Sequence, residues 1–102
     1  MGTYAIGPAS QIPEGEGRNF LVGEQMVAVF RTRDGEIFAT QAVCPHRGGP
    51  LADGLTDAAT VICPLHDHIY SLATGEGIGN PCRIATFPTE VSGDGTVLIS
   101  LA

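Results

Sequence analysis

Two short segments carry the residues best suited to bind metal, Cys44-Pro45-His46 and Cys63-Pro64-Leu65-His66. Each offers one thiolate and one imidazole, with a proline directly after the cysteine. The connector that follows the first segment, Arg47-Gly48-Gly49-Pro50-Leu51-Ala52-Asp53-Gly54, is rich in glycine. Glycine and proline set backbone angles that regular elements avoid. The four side chains are therefore expected on loops.

This donor set matches the needs of two irons bridged by two sulfides, where each iron requires two protein ligands to complete a tetrahedron. Two thiolates can serve one iron and two imidazoles the other, and a loop that mixes Cys and His can send one ligand to each. Exchanging two thiolates for neutral imidazoles removes negative charge and raises the reduction potential, to roughly −150 to +300 mV against about −400 mV for the all-Cys plant type. Zinc also accepts two Cys and two His in a tetrahedron. Zinc fingers, however, pair Cys with Cys and His with His along the chain, the latter on a helix, whereas each segment here mixes the two. A site that has lost its metal is the remaining alternative.

The order Cys-x-His, sixteen residues, Cys-x-x-His resembles the binding signature of Rieske [2Fe–2S] proteins, with both prolines and the intervening glycines in agreement. The resemblance implies that Cys44 and Cys63 hold the inner iron. It also implies that His46 and His66 bind the outer iron through Nδ1, with their Nε2 edges toward solvent. One-electron relay is the function implied, through a docking tip of Pro45, His46, Pro64, Leu65 and His66. Reduction should make the two imidazoles bind protons more tightly, coupling potential to alkaline pH. The implied fold is all-β: an antiparallel β sandwich formed by a single domain over 1–102, carrying an inserted cluster-binding subdomain at roughly 42–81.

Within that family, the runs Cys44 to Leu51, Cys63 to Asp67 and Leu72-Ala73-Thr74-Gly75-Glu76 look most like the small subunit of assimilatory NAD(P)H-dependent nitrite reductase. Asp67 is a marker, since oxygenase ferredoxins more often have Gly after this histidine. The partner implied is a large catalytic subunit with flavin, sirohaem and a [4Fe–4S] cluster. The alternative is a ferredoxin that passes electrons from a flavoprotein reductase to a terminal ring-hydroxylating oxygenase; a purely structural subunit is a further one. In high-potential relatives a Tyr at the place of Tyr70 donates to a cysteine sulfur; ordinary core packing is the other reading of this residue. The accompanying serine donor is replaced by His68 and the inter-loop disulfide is absent, so an intermediate to low potential is expected.

Composition suits a carrier. The 102 residues, 43% hydrophobic, can bury one modest core. A net charge of −6 disfavours nucleic acid and anionic membrane surfaces and favours a partner with a basic face, although acidity also serves solubility. No run approaches the roughly 18 apolar residues of a membrane helix, and Met1 to Ile6 lacks a signal-peptide layout. A cytoplasmic location is expected. The three cysteines leave Cys82 without a mate once two serve iron, which argues against a disulfide scaffold.

Strand signals dominate the rest. Strands are predicted at Thr3 to Ile6, Asn19 to Val22, Glu24 to Thr32, Glu36 to Ala42, Thr60 to Cys63, His68 to Leu72, Arg83 to Val91 and Thr96 to Leu101. Asp34-Gly35 reads as the two central residues of a hairpin turn, and Pro88 marks an edge or bulge. Gly75-Glu76-Gly77-Ile78-Gly79 lacks dinucleotide-loop spacing and reads as a turn. His68 reads as a solvated or packing residue, and Cys82 as a small buried hydrophobe.

Overall fold

The computed structural model describes residues 2–45, 48–57, 59–64 and 68–101. Short runs rich in β-branched and aromatic residues, cut by glycine and proline, form strands throughout. They are β1 (Gly2–Pro8), β2 (Glu16–Val22), β3 (Gln25–Arg31), β4 (Ile37–Gln41), β5 (Leu55–Asp57), β6 (Thr60–Ile62), β7 (Ile69–Ser71), β8 (Gly77–Ile78), β9 (Thr86–Phe87), β10 (Thr89–Val91) and β11 (Thr96–Leu101). Short 3-10 turns occupy Ala9–Gln11 and Leu51–Asp53. No helix among the described residues is long and apolar enough to cross a membrane.

The strands pair into three sheets, in the orders β1-β11-β10, β2-β3-β4-β9 and β5-β6-β7-β8. Every pairing between them is antiparallel. The all-β reading is borne out.

Strand β3 joins the layers. Successive side chains on a strand point to opposite faces, and here Val27, Ala28, Val29 and Phe30 are all inaccessible. Val27 and Val29 enter a core with Ile12, Val22, Ile37, Ala39 and, from β11, Val97 and Ile99. Ala28 and Phe30 enter a second core with Cys44, Leu51, Val61, Cys63, Tyr70, Leu72 and Ile84. Each such aliphatic or aromatic side chain contributes on the order of 1.5–3 kcal/mol by leaving water. The sheet of β5 to β8 is thus bound to the rest of the molecule through the core that contains both cysteines.

Several elements depart from expectation. The Asp34-Gly35 hairpin exists, but the Gly35 amide donates to Thr32 O at 3.0 Å and Thr32 N to Glu36 O at 2.9 Å. Arg33 and Asp34 therefore hold the central turn positions, and Gly35, at φ 89°, supplies the left-handed residue that follows. The β10–β11 hairpin repeats this arrangement with Ser92, Asp94 and Gly95. In both loops the hydroxyl two residues before the aspartate donates to its carboxylate, and this bond is the main cause of lowered Asp34 and Asp94 pKa values.

The strand predicted over Arg83 to Val91 is divided between two sheets. Thr86 and Phe87 pair with Thr40 and Ala39, while Thr89 to Val91 pair with β11. Pro88, which has no amide hydrogen to donate, stands at the crossing, and its carbonyl accepts from Ser100 N at 3.0 Å. Gly77 and Ile78, read as turn, pair with Tyr70 and Ile69 as β8. Strand β5 was not anticipated at all, since Leu55-Thr56-Asp57 is too short to show a period.

Gly17 lies inside β2, two residues ahead of the strand expected from Asn19, and the Phe30 ring covers it. A Cβ there would stand 2.6 Å from the ring and 3.2 Å from the Ala52 carbonyl oxygen. Gly17→Ala is expected to lower stability by about 1–3 kcal/mol through overpacking, read as a lower midpoint in thermal unfolding. Gly93→Ala, where an added Cβ meets nothing within 4 Å, is the control and should leave the midpoint nearly unchanged.

Candidate metal centre

Each cysteine begins a loop closed by its own backbone. Beyond β4, Leu51 N donates to Ala42 O at 3.0 Å and Val43 bridges Pro50, which fixes the base of the first loop. Inside it, Cys44 N donates to Gly49 O at 2.8 Å and Gly48 N donates to Cys44 O at 2.7 Å. Gly48 has φ 71°, a conformation costly for residues with a Cβ. The second loop joins β6 to β7, where Ile62 pairs with Ile69 and Cys63 N donates to His68 O at 2.8 Å. Each cysteine amide therefore donates to the carbonyl five residues on. The two loops are built alike from unrelated flanking sequence.

Cys44 and Cys63 come together in one core, at 1% and 0% exposure. His46 and His66, the other two expected ligands, lie outside the described residues, as do Leu65 and Asp67. Within the described part, sequence reasoning thus placed both cysteines on one site. The apolar walls around them come from Phe30, Leu51, Val61, Leu72 and Ile84. Two thiolates in such surroundings are tolerable only opposite a cationic partner, which fits iron.

Tyr70 supplies a polar contact to this wall. It is wholly buried, and its hydroxyl lies 3.2 Å from Cys44 Sγ. Burial, then the neighbouring Cys44 and Cys82, push its pKa up. The group therefore remains an O–H, a donor toward a thiolate sulfur. Tyr70 is thus both a core aromatic and a hydrogen-bonding partner of the cysteine, so the two sequence readings are not exclusive. His68 is half-buried, its ring stacked on Tyr70 with centroids 6.5 Å apart and planes at 22°.

Cys82 and Asn80 were undervalued in the sequence. Cys82 packs, partly buried, against the core that holds Tyr70 and both loop cysteines, in keeping with a small apolar role. It is held there by Asn80, whose Oδ1 accepts from Cys82 N at 2.9 Å while its Nδ2 donates to Ile69 O at 3.2 Å. Gly77 N donates to Cys82 O at 2.9 Å. An Asn between Gly and Pro reads as a turn former, and nothing in that signal reports the brace across to β7.

The family described as Rieske [2Fe-2S] domain matches residues 2–88. This chain belongs to the Rieske [2Fe–2S] family. It is 31% identical over 94 residues to the ferredoxin component of the naphthalene 1,2-dioxygenase system of Pseudomonas aeruginosa, covering 90% of this chain and 88% of that protein. It is 34% identical over 97 residues to the 3-phenylpropionate/cinnamic acid dioxygenase ferredoxin subunit of Escherichia coli K12, covering 92% and 89%. Among solved structures, one described as an NADH-dependent nitrite reductase small subunit from Mycobacterium tuberculosis superposes with TM-score 0.90 at 22% identity, over 99% of this chain and 96% of that one. The Rieske-type [2Fe–2S] cluster and electron transfer follow from the family. A Rieske cluster supplies one-electron chemistry when bound; Cys44 and Cys63 would hold it, with the Tyr70 hydroxyl as a donor beside the Cys44 sulfur.

A hydrogen bond to sulfur stabilises the reduced, more negative state. Tyr70→Phe removes that donor with almost no change of volume, so the potential should fall. Losing about 1.4 kcal/mol of reduced-state stabilisation corresponds to ~60 mV for one electron. Protein-film voltammetry checks this; an unchanged potential would leave Tyr70 with packing alone.

Proposed function

We propose that this chain relays single electrons as the small subunit of an assimilatory NAD(P)H-dependent nitrite reductase. In this reading Cys44 and Cys63 bind one iron, His46 and His66 the other, and residues 1–102 act as one domain with the cluster-binding part at roughly 42–81. The carrying observation is the meeting of Cys44 and Cys63, from two separately closed loops, in one apolar core beside the Tyr70 hydroxyl. That geometry holds thiolates away from water and offers a donor to the charge that reduction adds. It provides what a carrier needs and leaves catalysis to a partner. The runs Cys44 to Leu51 and Leu72 to Glu76, with Asp67, support the nitrite reductase assignment. The partner would be a large subunit with sirohaem, in the cytoplasm.

A second reading has its own support. The two dioxygenase ferredoxins share about a third of their residues with this chain over nearly the whole of both proteins. In that case electrons arrive from a flavoprotein reductase and leave to a ring-hydroxylating oxygenase.

Two predictions follow from the relay. The purified protein should contain two irons and two acid-labile sulfides per chain, and stoichiometric zinc without labile sulfide would contradict it. The double variant His46→Ala with His66→Ala should lose the metal, keep its β-sheet circular dichroism, and still bind the large subunit. It should nevertheless fail to raise NAD(P)H-dependent nitrite reduction. Undiminished stimulation by the metal-free variant would contradict relay in favour of a structural subunit. Electron delivery to a ring-hydroxylating oxygenase, with no binding to a sirohaem protein, would establish the second reading.

A further inference from the structure

The sheet that carries the second cysteine loop has an outer face whose composition is unusual for solvent. Residues paired directly across antiparallel strands project to the same side. Thr56, Val61, Tyr70 and Gly77 form one such row, and the burial of Val61 and Tyr70 shows that this row faces the core. The adjacent row therefore faces outward, and it reads Leu55, Ile62, Ile69 and Ile78. At its two ends Leu55 is 74% and Ile78 49% exposed, while Ile62 and Ile69 between them are half-buried. Single exposed hydrophobics are ordinary, but an apolar row spanning every strand of a sheet is a surface that water covers at a cost.

Position and charge give the row a meaning. Ile62 immediately precedes Cys63, and Ile69 immediately follows His68, whose carbonyl closes the cysteine loop. A protein seated on the row thus lies beside the loop that begins at Cys63. The next outward row runs Asp57, Thr60 and Ser71, and Ser71 N donates to the carbonyl of Glu76, the residue just before β8. The apolar strip is in this way edged by a carboxylate near each end. The Arg83 guanidinium approaches Glu76 only to 3.9 Å with both side chains about two-thirds exposed, an ion pair of little strength.

We infer that the Leu55–Ile62–Ile69–Ile78 face is a docking surface for the redox partner protein, which meets it with an apolar strip flanked by Arg or Lys. The inference rests on the relay reading, since it is the relay that requires a partner within reach of this loop. A second copy of the chain is disfavoured by charge, since each copy has a net charge of −6 and carries Asp57 and Glu76 along one edge of the strip. An anionic membrane surface is disfavoured by the same charge.

The test uses the holoprotein and the variant Leu55→Ser with Ile78→Ser, which alters the two exposed ends and no core or ligand residue. Iron content, visible spectrum and reduction potential should be those of the unaltered protein. Affinity for the sirohaem-containing large subunit, measured by surface plasmon resonance, should fall by about tenfold or more, as loss of interface anchors does. Asp57→Asn with Glu76→Gln should slow association and flatten its salt dependence. If the unaltered protein binds only a ring-hydroxylating oxygenase, the nitrite reductase assignment fails, and the same comparison is read on the oxygenase. Equal affinity of variant and unaltered protein for whichever partner binds would overturn the inference, as would failure of both partners to bind the unaltered holoprotein. A dimer in sedimentation that the Leu55→Ser, Ile78→Ser variant abolishes would also overturn it, by assigning the face to a second copy.

Discussion

Much of this structure depends on one strand that must hide both of its faces. Val27, Ala28, Val29 and Phe30 follow one another in β3 with no exposure, so a layer is required on each side. The sheet of β1, β10 and β11 supplies one of them through Val97 and Ile99. The other is supplied by the sheet of β5 to β8 and the two cysteine loops, through Val61, Tyr70, Leu72 and the cysteines themselves. Cys44 and Cys63 are consequently a part of the core, and the burial that stabilises the fold is the burial that keeps their sulfurs from water.

This placement explains why the polar groups described at the site are held in fixed pairs. In a core lined by Phe30, Leu51 and Ile84, an unpaired donor or thiolate is costly. The Tyr70 hydroxyl finds Cys44 Sγ, and the cysteine amides find carbonyls within their own loops. Burial keeps the Tyr70 hydroxyl protonated, so the donor persists across the working pH range. The outer side of the same sheet is free of these constraints, and the row from Leu55 to Ile78 can be apolar for association.

What the sequence made legible was what has a local cause. Cys44 and Cys63 were visible because thiolate and imidazole alternate beside prolines, a chemical pattern independent of tertiary structure. Strands β3, β4 and β11 were visible because their residues have strand composition over five residues or more. The losses occur where a distant partner decides. Gly17 is a strand residue with the Phe30 ring over it, and Gly77 is one because β7 pairs with it and Cys82 O accepts its amide hydrogen. Thr86 to Val91 has one strand-like composition, but Pro88 delivers its halves to two sheets. Asn80 looked like a turn residue because its brace to Ile69 spans eleven positions.

The central claim is that two imidazoles share the metal with two buried thiolates. Electron–nuclear double resonance on the reduced protein, with its histidines labelled with nitrogen-15, tests it most directly. The account predicts two distinct, strongly coupled histidine nitrogens, both retained when His68 is replaced by Asn and lost only when His46 or His66 is replaced. Absence of histidine coupling in an intact iron–sulfur protein, or loss of a coupling in His68→Asn alone, would contradict it.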